Sequence, residues 1–294
     1  MDIQQLHRLV VARIWPVALL LLAMAAIQTG ASLAKSLFPI AGPAGTTSVR
    51  LILAAIMLLA LMRPWRYRIA RSAWRPIIFY GIALGAMNFL FYQALHRIPL
   101  GITVALEFTG PLAVAIISSR RALDLIWVIL AIIGLAVLLW PGAAATSAVN
   151  LSGAAFAIGA GACWALYILF GRKAGSMHGM HSAVLGVAVA ALVAAPIGIW
   201  QEGATLLQPE VLKLGAVVAI LSTALPYTLE MVALPRIPTA TFGTLMSLEP
   251  AFGALSGLLF LGQHLSLLQW LAIVAVISAS AGTTLTPAAD SQEQ

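Results

Sequence analysis

Residues 97–111 read RIPLGITVALEFTGP, and residues 236–250 read RIPTATFGTLMSLEP. Both stretches begin with Arg-Ile-Pro and end with a second proline, and they lie 139 residues apart in a chain of 294 residues. Each carries a glutamate near its second proline, Glu107 in the first copy and Glu249 in the second. A duplicated apolar segment with a carboxyl inside it is typical of transporters built from two related halves.

The composition places this repeat in a membrane. Hydrophobic residues make up 62% of the chain, charged residues only 9%, and the mean hydropathy is +1.01. Soluble domains contain about 25% charged residues, and a membrane-spanning helix needs about 20 apolar residues. We therefore predict an all-α membrane protein with ten transmembrane helices. The predicted spans are 15–37, 46–62, 76–95, 100–118, 125–141, 152–171, 182–200, 212–233, 239–261 and 267–286.

The repeat divides the chain into two parts, residues 1–145 and residues 146–294, with five predicted spans in each. Because five is an odd number, the second part must enter the membrane in the opposite orientation. The sequence therefore predicts two inverted five-helix repeats, with a substrate site near the midplane between them. We interpret the first apolar run as a retained span, because a secretory signal has an apolar region of only about 7–15 residues.

The net charge of +7 reflects membrane topology rather than nucleic-acid binding, because the basic residues occupy short loops. Twelve of them fall on one side of the membrane if both termini are cytoplasmic: Arg8, Arg13, Arg63, Arg66, Arg68, Arg71, Arg75, Arg120, Arg121, Arg172, Lys173 and Arg236. Only Lys35, Arg97 and Lys213 fall on or near the other side. This asymmetry predicts cytoplasmic termini, with the lipid bilayer as the surrounding medium.

Five ionisable residues lie within the predicted spans: Lys35, Arg50, Glu107, Glu230 and Glu249. A charge at the bilayer centre costs at least ~2.5–3.5 kcal/mol, so these residues need partners or water. Either they form ion pairs that hold the helices together, or they line a cavity that carries both signs of charge. Glu107 and Glu249 lie deepest in their spans and favour the second interpretation.

Other polar and aromatic residues recur at helical spacing, and in lipid such faces turn toward neighbouring helices or water. We include these among the candidate substrate-binding or proton-coupling residues: Gln28, Ser32, Asn88, Tyr92, Trp164, Tyr167 and Tyr227. Three prolines within the spans predict helix kinks: Pro111, Pro226 and Pro250. A proline removes the hydrogen bond to the carbonyl four residues earlier, which is tolerated at membrane depth where a cavity or a neighbour compensates.

Metal, redox and nucleotide chemistry have little support in the sequence. The single cysteine, Cys163, excludes an intramolecular disulfide and a CxxC site, and no P-loop is present. The five histidines lie at the ends of spans or in loops, so we predict no metal and no cofactor. A multispan enzyme acting on lipid-linked substrates stays open as an alternative. It is the weaker one, because such an enzyme would normally require a His/Asp/Glu cluster at the membrane surface.

The chain resembles the ten-span EamA-type branch of the drug/metabolite transporter superfamily. The matching stretches lie in both halves: 27–39, 99–111, 159–167, 221–230 and 241–250. The resemblance implies a secondary transporter of the bacterial inner membrane that exports small neutral amino acids such as threonine and homoserine, in exchange for protons and by alternating access. Another small metabolite or drug carried by the same fold is the alternative.

Such an amino acid is a zwitterion, so its site needs groups of both charges. Arg50 or Lys35 could bind the carboxylate of the substrate, and Glu107, Glu230 or Glu249 could bind its ammonium group. A transporter of phosphorylated substrates would be expected to gather more cations within the membrane.

The topology can be tested with reporter fusions. Because the basic loops define the cytoplasmic side, we expect cytoplasmic activity for fusions after Arg68 and Gly179. Fusions after Ala144 and Gly203 should instead be periplasmic. A cytoplasmic signal at Ala144 would contradict the division into two inverted five-helix halves.

Overall fold

The computed structural model describes residues 3–118, 124–140, 150–178, 180–233, 236–237 and 239–285. In these residues all regular structure is helical, which confirms the predicted all-α class. The α-helices are α1 (Ile3–Lys35), α2 (Phe38–Met62), α3 (Arg71–Arg97), α4 (Leu100–Glu107), α5 (Thr109–Ser118), α6 (Asp124–Leu139), α7 (Leu151–His178), α8 (Met180–Glu202), α9 (Pro209–Ala219), α10 (Leu225–Ala233), α11 (Thr239–Met246), α12 (Glu249–Leu261) and α13 (Leu267–Leu285). Short 3₁₀ turns lie at Pro64–Arg66 and Gly203–Leu207.

Seven helical stretches are long and apolar enough to cross a membrane, and three shorter apolar ones accompany them. The long stretches are Ile14–Lys35, Phe38–Arg66, Arg71–Arg97, Leu151–Ala174, Met180–Leu207, Pro209–Glu230 and Thr241–Leu261. The shorter ones are Leu100–Val114, Ile126–Leu139 and Leu267–Gly282. Each stretch overlaps one of the predicted spans, and the protein is a multi-pass membrane protein. The proposed boundary at residues 145–146 lies outside the described residues.

Three predicted spans are broken helices. The fourth consists of α4 and α5, which meet at Phe108, three residues before Pro111. The ninth consists of α11 and α12, which are separated by Ser247 and Leu248. In the eighth, a π-helical turn at Ile220–Ala224 separates α9 from α10. Irregular backbone at membrane depth requires neighbouring groups or a cavity to satisfy it, and π turns occur frequently at functional sites.

The second predicted span, 46–62, begins too late. The helix begins at Phe38 and continues through a kink at Ala41 and Gly42, where Gly42 has a φ of +52°. Pro39 is compatible with the helix because it lies in the first turn, where its missing N–H costs no helical hydrogen bond. The Pro- and Gly-rich sequence therefore bends the start of the helix instead of forming a loop.

The most extensive helix contacts join the two halves of the chain rather than helices within one half. Helix α3 packs on α7, α2 on α8, α6 on α13, α1 on α10 and α4 on α12. Helix α5 of the first half also crosses α7 closely, and at this crossing Gly110 faces the backbone of Gly161. The interface between the halves is thus the interior of the protein.

The crossing at Gly110 can be tested by adding one methyl group. Because a Cβ at Gly110 would collide with the carbonyl of Gly161, Gly110→Ala should force α5 and α7 apart at a cost of about 1–3 kcal/mol. We expect a lower thermal unfolding midpoint in detergent, measured by fluorescence-detected gel filtration. Gly159→Ala is the matched control, since its nearest contact would be Leu90 Cδ1 at 3.4 Å. Equal midpoints for the two variants would contradict the close approach of α5 to α7.

Candidate functional site

A cavity of about 650 Å³ lies inside the bundle, between helices from both halves. The first half contributes residues of α1 to α5, and the second contributes residues of α7, α8, α10, α11, α12 and α13 and of the π turn. The cavity wall contains these ionisable and polar side chains: Gln28, Arg50, Asn88, Tyr92, Glu107, Trp164, Tyr167, Arg172, Ser222, Thr223, Glu230, Glu249 and Ser280. Its volume is in the range of small-molecule sites.

Arg50 is held by two acceptors from different helices. Its Nη1 donates to Ser222 Oγ at 2.9 Å, and its Nη2 donates to Asn88 Oδ1. Each acceptor is oriented by a bond to its own helix. Ser222 Oγ donates to the carbonyl of Val218 at 2.6 Å, and Asn88 Nδ2 donates to the carbonyl of Leu84 at 2.8 Å. These bonds to the backbone orient the Ser222 hydroxyl and the Asn88 amide so that an oxygen of each accepts from the guanidinium.

Tyr92 completes the environment of this cation. Arg50 Cζ lies 5.1 Å from the centroid of the Tyr92 ring, within the range of a cation–π interaction. Three buried polar atoms of the cavity wall have no hydrogen-bond partner among the described residues: Arg50 Nε, Gln28 Oε1 and Tyr92 Oη. A buried polar atom without a partner costs about 1–3 kcal/mol. Three residues of the cavity wall therefore hold buried hydrogen-bonding atoms that are unused, beside a fixed cation.

Three carboxyls complete the charged part of the wall. Glu107 is the last residue of α4 and Glu249 the first of α12, so each lies at a helix break. Glu230 lies in the last turn of α10, which ends at Ala233. Glu107 is within electrostatic reach of Glu249 and Arg50, and Glu249 is within reach of Glu230. The described residues contain no cluster of His, Cys, Asp and Glu suited to a metal ion.

The two ends of the cavity differ. Arg172, in the last two turns of α7, is exposed and lines the cavity, and Phe242, in the first turn of α11, lines it as well. The cavity therefore reaches the end of the bundle that holds the Pro64–Arg66 turn. At the opposite end the bundle is filled by a buried cluster that includes Phe38, Phe91, Tyr92, Leu95, Leu100 and Val104. Aromatic rings cover much of the central wall, where Trp164 meets Phe108 edge to face at 5.5 Å.

Most of the predicted site residues come together here, and four do not line the cavity or cannot be placed in it. Ser32 is bonded to Ser256 across the α1–α12 contact, with their hydroxyls 3.0 Å apart. Lys35 is partly exposed in the last turn of α1, and Pro250 is buried behind the wall. The side chain of Tyr227 lies outside the described part of the structure. Pro111 and Pro226 do line the cavity.

Sequence reasoning missed Ser222 as a partner of Arg50. Serine is common at helix contacts in membranes, so its identity alone carries little information. One feature of the sequence could have identified it: Ser222 lies four residues before Pro226. Because a proline has no N–H, Pro226 leaves the carbonyl of Ser222 without its helical hydrogen bond and disturbs the helix there. The structure places Ser222 in the π turn, the one irregular part of that span among the described residues.

A multi-pass helical protein with a charged cavity between its halves is a membrane transporter by architecture. The model of the EamA-like transporter family matches residues 151–285. The chain is 56% identical over 274 residues to the threonine/homoserine exporter RhtA of Escherichia coli (strain K12), covering 93% of this chain and 92% of that protein. The exporter of the same name from Salmonella typhimurium (strain LT2) is also 56% identical, over the same shares.

This chain therefore belongs to the EamA-like transporter family, and it is a transporter rather than an enzyme. A protein of known crystal structure has the same fold, with a TM-score of 0.57 over 92% of this chain and 99% of the other. At 22% identity that likeness concerns the fold alone.

Proposed function

We propose that this protein exports small neutral amino acids with a hydroxyl group, threonine and homoserine, across the bacterial inner membrane in exchange for protons. The observation that carries this proposal is the cavity in which Arg50 and three glutamates face one space between the two halves. Two relatives that are 56% identical over 93% of this chain are named threonine/homoserine exporters. Identity at this level over nearly the whole chain supports a shared substrate class.

The carboxylate of the substrate binds Arg50. Its guanidinium is fixed by Ser222 and Asn88 and lines the cavity, while its Nε is buried and has no partner among the described residues. A guanidinium donates charge-assisted hydrogen bonds to a carboxylate. Charge-assisted hydrogen bonds of this kind are the stronger ones in proteins. Glu107 or Glu249 binds the ammonium group, because both line the same space as Arg50. A group of each sign in one cavity suits a zwitterion better than an anion or a cation.

Proton coupling follows from the surplus of carboxyls. Among the described residues the cavity has three carboxyls and, in its interior, one guanidinium, with Arg172 at the open end. Neighbouring ionised carboxyls repel each other, and a bound ammonium group or a proton relieves that repulsion. One carboxyl binds the ammonium group of the substrate, and a second takes up a proton from outside and releases it inside, so substrate export and proton entry are coupled through the same cavity. We assign the proton to Glu107 or Glu249.

Alternating access would come from two inverted repeats. The first segments of the two broken spans support this arrangement. Helix α4 runs from Leu100 to Glu107, and α11 begins and ends 139 residues later, at Thr239 and Met246. The pairing of α3 with α7 also has a counterpart in that of α1 with the π turn and α10. With cytoplasmic termini, as the basic loops favour, the open end of the cavity faces the cytoplasm, where an exporter loads its substrate.

Export can be measured directly in cells. Cells that overproduce the protein should release radiolabelled threonine several times faster than cells with an empty vector. A protonophore should reduce the difference, because it removes the proton gradient that drives exchange. Equal release from both cell types would show that this protein does not export threonine.

The two central glutamates should have separable roles. Gln substitution keeps the shape of the side chain and imitates a permanently protonated carboxyl. The variant of the proton carrier should lose gradient-driven export and keep threonine exchange, whereas the variant of the ammonium partner should lose both, by about tenfold or more. Export and exchange in proteoliposomes distinguish these outcomes.

Glu210→Gln is the matched control, because Glu210 is exposed in the first turn of α9. If Glu107→Gln and Glu249→Gln both export at the normal rate with the normal pH dependence, the site assignment is wrong and these glutamates are structural.

A further inference from the structure

We propose that Gln28 and Tyr92 form a subsite that binds the hydroxyl group of the substrate and so selects hydroxylated over aliphatic amino acids. This inference rests on the proposed function and assigns to these two residues a role that the charged groups cannot fill. A carboxylate and an ammonium group are common to all neutral amino acids. Selection of threonine or homoserine must therefore use side-chain contacts.

Both side chains of this subsite are almost fully buried, and each holds an unpartnered polar atom. Gln28 is only 3% exposed and Tyr92 only 1%. Gln28 Oε1 and Tyr92 Oη nevertheless have no hydrogen-bond partner among the described residues, although both side chains line the cavity. A glutamine carbonyl oxygen accepts a hydrogen bond, and a phenol hydroxyl can donate one. Together they match a hydroxyl, which both donates and accepts.

Both side chains lie beside elements that carry the charged groups. The Tyr92 ring lies under Arg50, with 5.1 Å between Arg50 Cζ and the ring centroid. Gln28 lies against α12, where a Cβ built on Gly253 would be 3.6 Å from Gln28 Oε1. Gly253 follows Glu249 by one helical turn and so shares its face of α12. One side chain of the subsite thus adjoins the proposed carboxylate anchor, and the other adjoins a proposed ammonium partner.

Neighbouring side chains hold both residues in place. Phe38 and Phe91 pack on Tyr92 with ring centroids 5.7 Å and 5.9 Å away, which limits movement of the phenol. Across the next turn of the same seam, Ser32 and Ser256 share a hydrogen bond, which fixes α1 against α12. Buried polar groups that are held in place penalise a ligand that leaves them unpaired. A methyl group in the position of the hydroxyl would leave both atoms unsatisfied.

Isosteric substrate pairs test this subsite. Valine replaces the hydroxyl of threonine by a methyl group, and norvaline does the same for homoserine. In proteoliposomes we measure the concentration of each unlabelled amino acid that half-inhibits counterflow of radiolabelled threonine. We expect this concentration to be at least about tenfold lower for threonine than for valine, and at least about tenfold lower for homoserine than for norvaline. Tyr92→Phe and Gln28→Met should each bring the two ratios close to one.

Fluorescence-detected gel filtration in detergent reports folding. Tyr92→Phe and Gln28→Met should each elute as a single peak at the wild-type position, so that a changed ratio reflects altered recognition rather than unfolding. Tyr67→Phe and Gln201→Met are the matched controls, because both residues are exposed, and these variants should keep the wild-type ratios.

The outcomes separate the subsite from the proposed function. If wild-type protein carries threonine but does not distinguish it from valine, or if both variants keep the wild-type ratios, the subsite is wrong while export stands. Water then satisfies the two buried atoms. If wild-type proteoliposomes carry neither amino acid above protein-free liposomes, the proposed function fails and the subsite fails with it.

Discussion

Arg50 lies in the interior of an apolar helical bundle, where a charge without partners costs at least ~2.5–3.5 kcal/mol. The chain offsets this cost with acceptors from two other elements, Asn88 on α3 and Ser222 in the π turn, and with the face of Tyr92. These partners come from both halves of the chain, so the buried cation also connects the halves. A group that competed for Arg50, such as the substrate carboxylate proposed to bind there, would act on this connection.

The helix breaks serve the same cavity. Glu107 ends α4 and Glu249 begins α12, so the two central carboxyls lie where the backbone leaves regular helical geometry. A side-chain hydroxyl satisfies part of the freed backbone, because Thr109 Oγ1 donates to the carbonyl of Leu106 at 2.7 Å. At the other break Ser247 donates to the carbonyl of Gly243 through both its backbone N–H and its Oγ. Irregular backbone is thus confined to the region where a cavity and polar neighbours can accommodate it.

Much of this arrangement could be predicted from the sequence. The all-α membrane class follows from apolar runs of sufficient length, and the polar residues within those runs include Arg50, the three glutamates and the aromatic wall. The sequence is less informative where a residue type has several uses. Pro39 and Gly42 are typical of a loop but here bend a helix, and Ser222 cannot be distinguished in sequence from an ordinary packing serine. Lys35 has the charge expected of an anchor but lies at a helix end, and only the packing of α1 reveals that it does not line the cavity.

The central claim is that one cavity recognises a zwitterion through groups of both charges. Competition for tritiated threonine on the purified protein, measured by scintillation proximity, tests it directly. Unlabelled threonine should displace the label, whereas threonine methyl ester, which lacks the carboxylate, and 3-hydroxybutyrate, which lacks the ammonium group, should each require at least about tenfold higher concentrations. Displacement by either analogue at the same concentration as threonine would contradict the account.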